Sequence, residues 1–198
     1  MPISSHELKH FASDTKFFVE CGSAGFGSGI SAALHAGFER VYSVEIDPVV
    51  YAECYGLFGH DPKVELSLGD CGVWLDKTLD KIAQPCVTYL DANGFYGETE
   101  SPFHASINAM VRHGAKHHII LVDDMNHAFM SHKKVLDDLR RSRQSGAEHE
   151  TINQLLRVNA EYVFYLIDTH SEDFNTTYPS WVLVAECSRG RFTDAEYV

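Results

Sequence analysis

Six carboxylates and one histidine stand where a side chain has chemistry to do: Glu20, Glu45, Asp70, Asp91, the pair Asp123 and Asp124, and His127. Each acid lies at or just after the end of a short apolar run: Phe17 to Val19, Val41 to Ile46, Val64 to Leu68, Cys86 to Leu90 and His118 to Val122. A carboxylate in such a place accepts hydrogen bonds from sugar hydroxyls. Behind the first run come glycines at 22, 25, 27 and 29, which let a backbone approach a ligand closely. The helix expected next offers unpaired N–H groups at its start. Strand, glycine loop, helix, strand and acid, from Lys16 to Pro48, outline half of a nucleotide-binding α/β domain. The unperturbed pKa of a histidine suits proton transfer near neutrality, which makes His127 a candidate general base.

The elements that must carry these residues alternate. Ser4 to Asp14 reads as a short helix capped by Ser5, and the strand Lys16 to Cys21 follows. A helix is expected from about Ser28 to His35, with Ile30, Ala33 and Leu34 on its inner side and Gly37 closing it. Asp47-Pro48 starts the next helix, since Asp caps and Pro at the first position lacks an N–H that would be unpaired anyway. That helix ends at Phe58-Gly59, and Val73 to Ile82 forms another. Ser101-Pro102 begins a helix to about His113, Ala128 to Arg141 reads as helical, and Thr151 opens the last. Tyr162 to Ile167 and Trp181 to Ala185 are strands joined without a helix, so the final one should run antiparallel. The order is five strand–helix units and a terminal pair, which implies a three-layer α/β/α sandwich on a mostly parallel seven-stranded sheet.

Composition narrows the classes. The 198 residues fit one domain, with Met1 to Thr15 as an N-terminal helix segment and 16–187 as the core. A net charge of −12 argues against nucleic acid and anionic membranes as partners, because neutralising phosphates takes clustered Lys and Arg. The one basic cluster, Arg140 to Arg143, follows Asp137 and Asp138 and reads as a solvated helix end. Five scattered cysteines without a CxxC pair, and a polar start in place of a signal peptide, point to reduced thiols and a cytoplasmic location. No apolar run reaches the roughly 18 residues of a membrane span.

The layout resembles the class I S-adenosylmethionine-dependent methyltransferases over Phe17 to Cys187. Val19-Glu20-Cys21-Gly22-Ser23-Ala24-Gly25 resembles that family's first motif, which passes the methionine part of the cofactor. Val44-Glu45-Ile46-Asp47 resembles the second, with Glu45 as the ribose-binding acid. Leu68-Gly69-Asp70-Cys71 resembles the third, beside the adenine, and Leu90-Asp91-Ala92-Asn93 the fourth, facing the transferred methyl. The glycines depart from the usual spacing: Ala24 and Phe26 take the second and third glycine positions, so Phe26 must point away from the cofactor.

By the family's strand order the fourth and fifth strands are neighbours, which brings Asp91 beside Asp123 and Asp124. The resemblance to metal-assisted small-molecule O-methyltransferases then implies a Mg²⁺ held by these three acids, lowering the pKa of an acceptor hydroxyl. It implies Asp91 and His127 as catalytic groups, a small-molecule acceptor, and a substrate wall at Ala92 to Glu100, where Phe95 and Tyr96 lie between glycines. The DPPY-like signature of enzymes that methylate nucleic-acid bases is absent. Homodimerisation is left open. The residues alone leave plainer readings open too: Glu20, Asp47 and Asp70 as helix caps, Asp123 and Asp124 exposed at a helix start, and His127 solvated. Two rival functions stand beside the transferase, namely a cofactor-binding or assembly protein without activity, and an NAD-dependent oxidoreductase through Gly27 to Ala32.

Overall fold

The computed structural model describes residues 3–92, 102–123, 150–168, 181–187 and 196–197. Its elements in chain order are α1 (Ser5–Ala12), β1 (Phe17–Cys21), α2 (Ala24–Ala36), β2 (Arg40–Glu45), α3 (Pro48–Phe58), β3 (Val64–Leu68) and α4 (Cys71–Ile82). Then follow β4 (Val87–Leu90), α5 (Pro102–Arg112), β5 (Ile119–Val122), α6 (Glu150–Val158), β6 (Val163–Asp168), β7 (Trp181–Glu186) and β8 (Glu196–Tyr197). The expected helix at 128–141 and the substrate wall at 93–100 lie outside the described residues.

The sheet runs β3-β2-β1-β4-β5-β7-β6-β8. β1 pairs in parallel with β2 and β4, and β4 with β5, while β7 is antiparallel to both β5 and β6. The antiparallel return agrees with the expectation, and β4 beside β5 agrees with the expected order. An eighth strand of two residues, β8, adds to the seven expected and pairs antiparallel to β6.

Strand alternation sorts the side chains into two cores. Phe18, Val41, Val87, Tyr89 and Leu121 face α1 and α2 with Leu8, Phe11, Ile30 and Phe38. Val19, Cys21, Val44, Leu90 and Ile120 face the other layer with Leu75, Met110 and Leu155. The result is the expected α/β/α sandwich.

Four helix starts differ from expectation; α4 begins at Cys71 in place of Val73 and α6 at Glu150 in place of Thr151, and the other two matter more. Ser4, not Ser5, caps α1: its hydroxyl accepts the His6 N–H, and the Glu7 carboxylate returns to the Ser4 N–H at 2.9 Å, a capping box. α2 begins at Ala24, four residues before Ser28, so Gly25, Gly27 and Gly29 belong to a helix and only Gly22 and Ser23 remain as loop. The early turns are irregular, with Phe26 at φ +63° and Gly27 at φ +65°. Side-chain periodicity could not reveal this start, because glycines carry no pattern.

Candidate cofactor cleft

β1, β2, β3 and β4 end on one edge, where Gly22, Ser23, Glu45, Asp70 and Asp91 stand. β2 ends in Glu45, whose carboxylate is fully engaged. Oε2 accepts the Ser23 N–H at 3.0 Å and the Ser23 hydroxyl at 3.1 Å; Oε1 accepts the N–H groups of Ile46 and Asp47 at 2.8 and 2.9 Å. Those four donors fill the roughly four acceptor positions of a carboxylate. Only the Ser23 hydroxyl is on a rotatable side chain, so it is the donor a sugar hydroxyl would displace. Glu45 therefore ties the end of β2 to the start of α2.

Gly22 turns the chain between β1 and α2 at φ +90°, and a Cβ there would meet the Asp91 carbonyl oxygen at 2.8 Å. The Asp91 N–H donates to the Cys21 carbonyl at 3.0 Å, which joins the ends of β1 and β4. Ala24 and Gly25 open α2. Ile46 is 71% exposed beside Gly69, whose N–H donates to the Glu45 carbonyl at 2.8 Å. Asp70 caps α4, accepting the Val73 N–H at 3.2 Å, and Cys71 is the first residue of that helix. Leu68 and Val73 are also more than half exposed. Phe26 is exposed as well.

Glu20 differs from the others. It is buried on the α2 side of the sheet and accepts the hydroxyl hydrogen of Ser43, its register partner on β2, at 2.6 Å. Burial pushes its pKa up to about 8, with the Ser43 hydrogen bond opposing and the Glu45 charge adding to the rise. It caps no helix. Ser43 carries no signal in the sequence; only the pairing of β1 with β2 reveals it.

Asp123 ends β5 and is buried, with the Tyr89 hydroxyl donating to its Oδ2. Tyr89 is held well above the usual phenol range, first by burial and then by the charges of Asp123 and Asp91. Asp91 and Asp123 thus lie on neighbouring strand ends around one phenol. Asp124 and His127 lie outside the described residues. Among the described residues no group of three His, Cys, Asp or Glu side chains converges to hold a metal. A buried Asp123 bonded to Tyr89 does not fit an open three-carboxylate site, and we derive no step through a metal.

Comparison with solved structures agrees with this topology. The methyltransferase fold is shared. A precorrin-6y C5,15-methyltransferase from Geobacter metallireducens GS-15 superposes with TM-score 0.57 at 14% identity, over 93% of this chain and 87% of the other. The methyltransferase domain of bacterial CtHen1-C gives 0.57 at 12% identity, over 92% and 95%. Spermidine synthase from Thermotoga maritima gives 0.58 at 13% identity, with 96% of this chain spanning 60% of that one. No family model matches the sequence, and no curated protein is similar to it. At these identities the likeness establishes the fold. Among the described residues, no helix is long and apolar enough to cross a membrane.

Proposed function

We propose that this chain is an S-adenosylmethionine-dependent methyltransferase acting on a small molecule, with oxygen the favoured acceptor. The observation that carries the reading is the row of polar strand ends at one edge of a methyltransferase fold: Asp70, Glu45, Gly22-Ser23 and Asp91. The cleft suits a cation, since Glu45 and Asp91 flank it and the chain carries −12 overall. It suits an adenine, since Ile46 and Val73 expose apolar surface beside Asp70.

S-adenosylmethionine supplies an electrophilic methyl on a sulfonium. Glu45 would accept the ribose hydroxyls once the Ser23 hydroxyl turns away. Asp70 and Cys71 would border the base, and the Gly22 turn would let the chain pass close to the methionine part. Asp91 would face the acceptor, with His127 proposed as the group that takes its proton. Holding acceptor and methyl in line supplies much of the rate in such a displacement. The negative surface supports a small acceptor over nucleic acid. Mg²⁺ assistance would rest on Asp91, Asp123 and Asp124 together, and the bond from Tyr89 to Asp123 weighs against it.

Calorimetry with S-adenosylhomocysteine tests the cleft, and turnover of methyl-labelled cofactor against a metabolite pool tests the reaction. Tight NADH binding without S-adenosylhomocysteine binding would overturn the proposal. Binding without turnover would favour the assembly protein. Turnover abolished by EDTA and restored by Mg²⁺ would reinstate the metal.

A further inference from the structure

Beneath the cleft lie two thiols that the reaction does not use. Cys21 ends β1 and points to the α4/α5 layer, and Cys71 opens α4. Gly72 lets α4 press on α5, since a Cβ there would lie 2.5 Å from the Ala105 Cβ. That close approach brings the buried Ser106 hydroxyl to both sulfurs, 3.8 Å from Cys21 Sγ and 3.7 Å from Cys71 Sγ. The two sulfurs thus share one hydroxyl neighbour, and each shifts the other's pKa. As a neutral thiol, Cys71 donates to the Pro102 carbonyl at 3.8 Å.

The environments of the two sulfurs differ. Cys71 sits at a helix N-terminus, where N–H groups stabilise a thiolate. The neighbouring Cys21 thiol, with Ser106 assisting, lowers its pKa to about 7 against the opposing effect of burial. Cys21 is held well above the ordinary thiol value by the Cys71 thiol and by burial. Cys71 keeps 6% of its surface, while Cys21 keeps 1%. Cys71 is thus the more acidic and the less deeply buried of the two thiols, the order expected of an attacking and a resolving cysteine.

We propose that Cys21 and Cys71 are a peroxide-oxidisable dithiol whose disulfide draws the first turn of α4 onto the end of β1 and weakens cofactor binding. The Cys71 thiolate attacks one oxygen of hydrogen peroxide, the O–O bond breaks, and the departing hydroxide takes a proton to leave as water. Cys71 is then a sulfenic acid. The Cys21 sulfur attacks the Cys71 sulfur, the S–O bond breaks, and the Cys21 proton leaves with the hydroxyl as a second water. Two thiols are oxidised to one disulfide and one peroxide is reduced to two waters. Closure joins the two sulfurs beside the Ser106 hydroxyl in a bond of about 2.05 Å, and Asp70, next to Cys71, moves with the helix end. The effect on the cleft rests on the cofactor reading above; the disulfide does not.

The test treats the reduced full chain with stoichiometric hydrogen peroxide, then maps peptides and measures S-adenosylhomocysteine affinity. The expected result is a Cys21–Cys71 linked peptide, absent in Cys21→Ser and in Cys71→Ser, retained in Cys187→Ser and reversed by dithiothreitol. Affinity should fall about tenfold on oxidation. By the same linkage, saturating S-adenosylhomocysteine should slow closure. Alkylation of the unmutated chain needs no variant to fold: Cys71 should react ahead of Cys21, with a midpoint near the lowered value. Peroxide that leaves Cys21 and Cys71 as free thiols while oxidising Cys187 overturns the dithiol. A linked peptide with unchanged affinity overturns its effect on the cleft. If the reduced chain fails to bind S-adenosylhomocysteine, the cofactor reading falls, and the linked peptide still decides the disulfide.

Discussion

The Glu20 carboxyl occupies the space a side chain on Gly29 would need: a Cβ there would lie 1.8 Å from Glu20 Oε1. β1 and α2 are therefore fitted to each other through a buried acid on one element and a missing methyl on the other. Gly29 has two opposed tendencies. In a helix Gly costs about 1 kcal/mol relative to Ala, yet forcing a methyl into a filled core costs roughly 1–3 kcal/mol, and the displaced carboxyl also loses its bond from Ser43.

Gly29→Ala should accordingly destabilise the chain, by about 1–3 kcal/mol in urea unfolding. In a Glu20→Ala background the same change should stabilise it, by roughly 0.5–1 kcal/mol. A Gly29→Ala effect of one sign in both backgrounds would show that the two residues do not compete for the space.

The raised pKa of Glu20 makes stability depend on pH. Its folded value of about 8 exceeds the ordinary carboxylate value of 4.5, so the native state holds more protons between those values. The contribution is full below about 4.5, falls as pH rises and is lost above 8. His118, lowered to about 4 by burial and by His113, acts oppositely between 4 and 6.5, and Cys71 acts oppositely above 7. The difference between the unmutated chain and Glu20→Gln isolates the acid. That difference should change progressively from pH 5 to pH 8. A flat difference would mean Glu20 is ionised throughout.

Glu45 and Ser23 should respond in opposite directions to truncation. Glu45→Ala removes the proposed acceptor of ribose hydroxyls and should weaken S-adenosylhomocysteine about 10–100-fold, the worth of hydrogen bonds to a charged group. Ser23→Ala leaves the backbone N–H in place and frees one acceptor position. It should tighten binding by up to about tenfold. Weaker binding in Ser23→Ala would instead mean that the hydroxyl touches the cofactor.

Tyr89 joins two parts of the fold, donating to Asp123 and accepting the Ile3 N–H at 3.4 Å. Tyr89→Phe keeps the ring and removes both bonds. A loss of about 1–3 kcal/mol in unfolding free energy is expected, with cofactor affinity changed less than threefold or so. A large loss of affinity with unchanged stability would move Tyr89 into the cleft.

The sequence by itself determined which residues are strands and where their polar ends fall. Alternating apolar runs and acids are local, and so are the Asp47-Pro48 cap, which formed as expected, and the Asp70 cap, which was the plainer of its two readings. The antiparallel return was legible too, because Thr169 to Ser180 carries no helical pattern and two strands joined without a helix are usually antiparallel. Only the tertiary structure decided what each acid does. Glu20 and Glu45 look alike in sequence, but pleat and register bury Glu20 against Ser43 and Gly29 while Glu45 engages Ser23 at the rim. Asp123 likewise became a buried acceptor for Tyr89 because β5 lies beside β4. The start of α2 was illegible for a different reason: glycines have no side chains to set a period, so packing on Glu20 and Phe58 fixed the helix there. The meeting of Cys21, Cys71 and Ser106 is the extreme case. It joins residues distant in sequence through two helices and a strand, a relationship that no local pattern contains.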